Sequence, residues 1–214
     1  AATNPAGALY TVGADKTKIC DTCAKTCVES LCPQTTTPED YWQRDGQRME
    51  KACTLSLRKK MLELTYDCKS AGGGAASVAA KTYEAIKGCP TTDPQPTGGY
   101  SMNFKRLKNY TLSDKGALEE AIKEWWSPLE KIGLGTNLEF TDGSPLTSFA
   151  NMAYEETSKF ACSVKNCPNI GKTLVMCQYN PPITGGDNIY EPGKVCSGCR
   201  NLGKQCSDPQ GLCV

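Results

Sequence analysis

The chain has no histidine among its 214 residues, and that one absence removes a block of chemistry. Ser-His-Asp and Cys-His nucleophilic mechanisms, histidine general bases and histidine-ligated zinc are all excluded. Long apolar runs are missing as well, since no stretch of about 18 apolar residues is present to span a bilayer. Nor does one sign of charge dominate: 24 basic and 23 acidic residues are interspersed, which leaves no footprint for nucleic acid or anionic lipid. The start, Ala1-Ala2-Thr3-Asn4-Pro5, has neither the basic nor the apolar segment of a signal peptide and is expected to be a mature or recombinant N-terminus.

What is abundant is cysteine. Fourteen of them, an even number without a histidine to share a zinc ion, point to disulfides formed in an oxidising environment and so to a secreted, extracellular protein. Cys20, Cys23, Cys27 and Cys32 crowd into an N-terminal arm, and Cys196, Cys199, Cys206 and Cys213 into a C-terminal tail. Segments this short cannot bury much apolar surface, so crosslinks must hold what packing cannot. The chain therefore divides into a cysteine-rich arm over 1–33, a packed domain over 34–190 and a cysteine-rich tail over 191–214. The pairs Cys20-x-x-Cys23 and Cys196-x-x-Cys199 also match half of a zinc or redox motif, but so far apart in a secreted chain they read as structural disulfides.

Within the packed domain, Thr37-Pro38-Glu39-Asp40 supplies a cap, a first-turn proline and two acids, which predicts a helix carrying Trp42, Met49, Cys53 and Leu57 on one stripe. A second helix is predicted over 75–87 after the Gly72-Gly73-Gly74 linker, stopping at Gly88-Cys89-Pro90. A third runs from about Asp114 to Trp126, capped by Ser113 and ended by Pro128, with Leu118, Ile122 and Trp125 on one face. Of Trp125 and Trp126, one faces the core and the other packs at the helix end. A fourth helix covers about Thr147 to Thr157. Strand signals come late: 159–165 and 173–179 form a hairpin around the turn Pro168-Asn169-Ile170-Gly171. The run Lys105-Arg106-Leu107-Lys108 reads as a solvated loop. Helices flanking a small antiparallel sheet on both faces give an α+β fold.

Several segments carry a resemblance. Ser148 to Thr157, Lys159 to Val164 and Val175-Met176-Cys177-Gln178-Tyr179-Asn180-Pro181 resemble the two signature motifs of the CAP superfamily (cysteine-rich secretory proteins, antigen 5, pathogenesis-related 1). In the same order, Leu64-Thr65-Tyr66-Asp67-Cys68, the stretch Leu118 to Leu138, and Ile189 to Lys194 with Cys196-x-x-Cys199 resemble other family segments. Ser148-Phe149-Ala150-Asn151-Met152-Ala153 is most similar to the nematode Ancylostoma-secreted type, which includes hookworm inhibitors of platelets and neutrophils. The resemblance spans about residues 38 to 213. It implies a three-layer α-β-α sandwich with a hinge-like tail, and the disulfides Cys162–Cys177 and Cys89–Cys167; the partners of the other ten cysteines stay open.

Many members line a cleft with two histidines and two glutamates able to hold a divalent metal. Carried over position by position, little remains. No histidine follows Cys89 between Pro90 and Ser101, the first glutamate falls at Met102 before Asn103, the second at Pro128, and the second histidine at Ser148. With Glu156, these positions mark a degenerate cleft, for which no metal or other cofactor is expected. Glu155 and Glu156 beside Ser148 suggest paired carboxylates for acid–base work, but neighbouring helical side chains point about 100° apart, so one is expected in solvent and the other paired locally. No enzymatic activity is expected.

Two functional classes follow from the resemblance. One is a secreted effector of a parasitic nematode that binds a host cell-surface protein, with integrins on platelets or leukocytes as the leading candidates. The chain has no Arg-Gly-Asp or Lys-Gly-Asp tripeptide, and Arg44-Asp45-Gly46 is no substitute, so such a contact would use a folded surface. The other is a carrier of a small apolar ligand such as a sterol or fatty acid, with Pro90–Tyr100 walling an apolar pocket. Asn109-Tyr110-Thr111 is a glycosylation sequon in a polar stretch.

Overall fold

In the computed structural model, residues 59–67, 77–134, 137–207 and 211–214 are described. The helix predicted from Thr37, the N-terminal cysteines, Cys53, Cys68 and the Gly72–Gly74 linker lie outside the described residues. The described elements are β1 (Thr65–Tyr66), α1 (Val78–Lys87), β2 (Ser101–Leu107), α2 (Asp114–Ile132), α3 (Thr147–Ala153), β3 (Lys159–Cys167) and β4 (Lys172–Asn180).

The strands form one sheet in the order β1-β3-β4-β2. The predicted hairpin is its centre: β3 and β4 are antiparallel, with Cys162 directly opposite Cys177, and Pro168–Ile170 with Gly171 at φ 64° turns the chain between them. Two further strands were not predicted. Thr65–Tyr66 adds a short parallel edge to β3, and Ser101–Leu107 pairs antiparallel with β4 along its whole length. Lys105, Arg106 and Leu107 are therefore strand residues, not a solvated loop. Leu107 is buried in the core, while Lys105 pairs with Glu124 on α2 and Arg106 with Asp93. The cationic look of the run hid one inward side chain and two satisfied charges.

The pleat sorts the side chains of β4 between two helical layers. Leu174 and Met176 pack with Ile86 of α1, and on that same face Gln178 donates to Thr82 of α1 at 2.6 Å. Val175, Cys177 and Tyr179 join the larger core with Trp125, Trp126 and Phe149 from α2 and α3. This is the three-layer α-β-α sandwich, and it explains why Leu174-Val175-Met176 is apolar without alternation: both faces of the strand are covered.

Helix ends follow their caps where the caps are local. Ser77 accepts from the Ala80 amide at 3.1 Å and opens α1, and Ser113 does the same for Gly116 and opens α2. Pro128 does not end α2. The helix continues to Ile132, because the Glu124 carbonyl, deprived of an amide from Pro128, accepts from the Ser127 hydroxyl at 2.9 Å. Leu129 beyond it is buried, and with Ala117, Ala121 and Trp125 it forms the buried stripe; Leu118 and Ile122 are only partly buried beside it. Trp125 and Trp126 are both buried. In turn α3 stops at Ala153, short of Thr157. Tyr154 is extended, and the next amide, Glu155, bonds to Ile189 at 2.9 Å instead of continuing the helix.

Four disulfides join described residues. Cys89–Cys167 ties the end of α1 to β3, and Cys162–Cys177 crosses the hairpin. Cys196–Cys206 and Cys199–Cys213 interlace in the tail. The tail is stitched to the sandwich: Cys213 donates to Met61 and Glu63 donates to Cys213, and Leu212 is fully buried in the main core.

Candidate functional site

At the end of β2 nearest α3, Asn103 and Asn151 are both buried. The Asn151 amide donates to the Asn103 side-chain oxygen at 2.9 Å and to the Met102 carbonyl at 3.1 Å. Asn103 in turn donates to the Ser148 carbonyl at 2.8 Å, and the Ser148 hydroxyl donates to the Trp125 carbonyl at 2.9 Å. One network thus joins β2, α2 and α3. Beside it, Trp126 meets Phe149 edge-on at 5.1 Å between ring centres.

Of the positions expected to mark a degenerate cleft, Ser148 and Met102 take part in this network. Ser148 contributes its hydroxyl and carbonyl. Met102 contributes its carbonyl, while its side chain packs with the Ile86, Leu174 and Met176 cluster under α1, on the opposite face of the sheet. Pro128 lies within α2, about one turn beyond Trp125. Glu156 does not join them: it lies beyond the C-terminal end of α3, whereas Ser148 sits in the first turn. Asn103 and Asn151 are the residues that sequence reasoning missed as a pair; the signal available was two asparagines in otherwise apolar segments, which need partners if buried.

These donors do not fit a zinc ion. Zinc is held by thiolate, imidazole or carboxylate, and the described residues here offer a thioether turned away, a proline ring with no donor atom, a hydroxyl that donates to Trp125 and two carboxamides whose NH2 groups donate to protein oxygens. Among the described residues no three Cys, Asp or Glu side chains gather as a metal-holding group.

Past α3 lies a second polar cluster. Glu155 is buried, its carboxylate accepting the Glu191 amide at 2.8 Å and facing Lys60 at 3.3 Å. Glu156 is exposed and also pairs with Lys60, at 3.4 Å. So both carboxylates pair with Lys60, Glu155 from a buried position and Glu156 from an exposed one, and neither is helical. Burial works against the Lys60 charge, but the charges and hydrogen bonds of Glu155 and Glu156 outweigh it and hold the ammonium above its ordinary 10.5. Burial, and after it the nearby negative charges of Glu156 and Asp187, push the Tyr154 phenol up to about 12. Its hydroxyl therefore stays protonated and donates to Asp187, whose carboxyl is held below its usual range by the amide and hydroxyl of Thr184, at 3.0 and 2.8 Å, and also by Tyr154. Each of these groups is tied to a structural partner, and the Ser148 hydroxyl is committed to Trp125 at the other end of α3.

The remaining candidates are on the surface. Arg106 lies over the Phe104 ring at 4.6 Å while pairing with Asp93. The segment 90–100 is held down by the Thr97 amide on Gln178 and the Tyr100 hydroxyl on Asp67, both at 2.5 Å.

Against known proteins, residues 55–179 match the model of the cysteine-rich secretory protein family, CAP. The Ancylostoma secreted protein of Ancylostoma caninum is 28% identical over 168 residues, 75% of this chain and 36% of that protein. Hookworm platelet inhibitor 1 of the same organism is 28% identical over 145 residues, 67% of this chain and 63% of that protein. The chain thus spans less than two thirds of either relative. Among solved structures, NaASP2, crystallised with Zn2+, superposes with a TM-score of 0.63 at 27% identity, covering 78% of this chain and 90% of that one.

Proposed function

The chain belongs to the cysteine-rich secretory protein (CAP) family, and from that premise we propose that it is a secreted, non-enzymatic parasite effector that acts by binding a host protein. A cell-surface adhesion receptor of the integrin class, on platelets or leukocytes, is the partner we infer. The observation that carries this reading is the closed network at Asn103, Ser148 and Asn151. The family fold is kept while Ser148, Asn103 and Asn151 donate to protein oxygens, and no imidazole or carboxylate joins them among the described residues, which supports a function carried by the outer surface. The similarity to a relative named as a platelet inhibitor supports the choice of partner. The zinc of the NaASP2 crystal is not carried over, since the donors here do not suit it.

Secretion is supported by the disulfides on both sides of the sandwich, which persist in oxidising compartments. No helix among the described residues is long and apolar enough to cross a membrane. Without an Arg-Gly-Asp tripeptide anywhere in the sequence, contact with an integrin uses a folded surface. The test is adhesion of platelets and of neutrophils to immobilised ligand in the presence of the disulfide-intact chain. Dose-dependent block supports the reading; unimpaired adhesion together with stoichiometric retention of tritiated cholesterol overturns it in favour of an apolar-ligand carrier.

A further inference from the structure

We propose that Asn109 is an N-glycosylation site whose oligosaccharide caps the Leu107 end of the sheet, an inference that rests on the secreted reading above. Asn109-Tyr110-Thr111 is the sole Asn-x-Ser/Thr tripeptide in the sequence. It lies in the connection between β2 and α2, with all three residues exposed.

The backbone and the side chain of Asn109 have separate tasks. Its carbonyl accepts the Thr173 hydroxyl at 2.7 Å, which pins the connection to β4. Its side-chain oxygen accepts both the amide and the hydroxyl of Thr111, at 2.9 and 2.8 Å. The Nδ2 group has no partner among the described residues and is on the exposed side. Transfer to it from a lipid pyrophosphate-linked oligosaccharide balances simply. Nδ2 forms the new bond to the sugar C1, the C1–oxygen bond to pyrophosphate breaks with the electron pair leaving on pyrophosphate, and the nitrogen gives up one proton to a base of the transferase. The Thr111 hydroxyl, donating to the carboxamide oxygen, draws electron density onto that oxygen and makes the Nδ2 proton easier to lose.

A glycan there covers two liabilities. Tyr110 is 45% exposed beside the acceptor, and among the described residues β2 is the outermost strand of the sheet, next to β4. An edge strand invites pairing with another chain, and a bulky hydrated group at its end obstructs that pairing.

The test is secretion of the full chain, behind a secretory leader, from insect cells. The expected wild-type product in the medium carries the added mass of a core oligosaccharide. Peptide N-glycosidase removes that mass and leaves Asn109 deamidated in the tryptic peptide 109–115. Asn109→Gln and Thr111→Ala lose the shift, and Thr111→Ser, which keeps the hydroxyl, retains it. Wild-type chain in the medium with unmodified mass overturns the proposal and leaves host-protein binding untouched, as does a glycosidase-sensitive mass that persists in Asn109→Gln.

Discussion

Ser148 donates its hydroxyl proton to the carbonyl of Trp125 at 2.9 Å, tying the first turn of α3 to the middle of α2. This small polar side chain closes a buried carbonyl and offers zinc neither an imidazole nitrogen nor a carboxylate oxygen. Asn103, accepting from Asn151 and donating to the Ser148 carbonyl, completes the closure from the sheet side.

Zinc is the first test of that closure. Titration calorimetry of the disulfide-intact chain with zinc is expected to give no saturable heat. Anomalous density between β2 and Ser148 in a zinc-soaked crystal would show the donor argument to be wrong.

Asn151→Ala removes both donors of its amide and strands the Met102 carbonyl and the Asn103 oxygen. Each buried group left without a partner costs about 1–3 kcal/mol. Urea unfolding with disulfides intact measures the loss. In the double variant with Asn103→Ala the two effects should be non-additive, with a coupling of about 0.5–3 kcal/mol.

The Tyr154 phenol gives a stability slope at alkaline pH. Folded, it keeps its proton up to about 12; unfolded, it gives the proton up near 10. Between those values the folded state binds more protons, so stability falls as pH rises. Tyr154→Phe should flatten the slope in that window. Lys60, also raised above 10.5, adds a fall in the same direction that remains in the variant.

Leu212 tests whether the tail is part of the fold. Its side chain is fully buried in the main core, so Leu212→Ala should cost about 2–5 kcal/mol in the same unfolding experiment. A loss near zero would make the tail an appendage held by its disulfides alone.

The elements legible in the sequence were those written in local chemistry: the serine caps of α1 and α2, and the Pro168–Gly171 turn of the hairpin. Where reading failed, a distant partner decided. Pro128 stays helical because Ser127 satisfies Glu124, and α3 ends early because the Ile189 carbonyl takes the Glu155 amide. Strand β2 was hidden because its outward residues are Lys105 and Arg106, whose partners Glu124 and Asp93 lie on other segments. The family resemblance placed Ser148 correctly on α3, but only the pleat could show that the Met102 side chain points to α1 and that Asn103 reaches across to Ser148.

Binding to host cells tests the central claim most directly. Labelled, disulfide-intact chain is titrated onto intact platelets and onto platelets stripped of surface protein with trypsin. Saturable binding, competed by unlabelled chain and lost on the stripped cells, is the predicted result. Equal binding to stripped cells, or no saturable binding to either, would contradict a protein partner engaged by the surface of this fold.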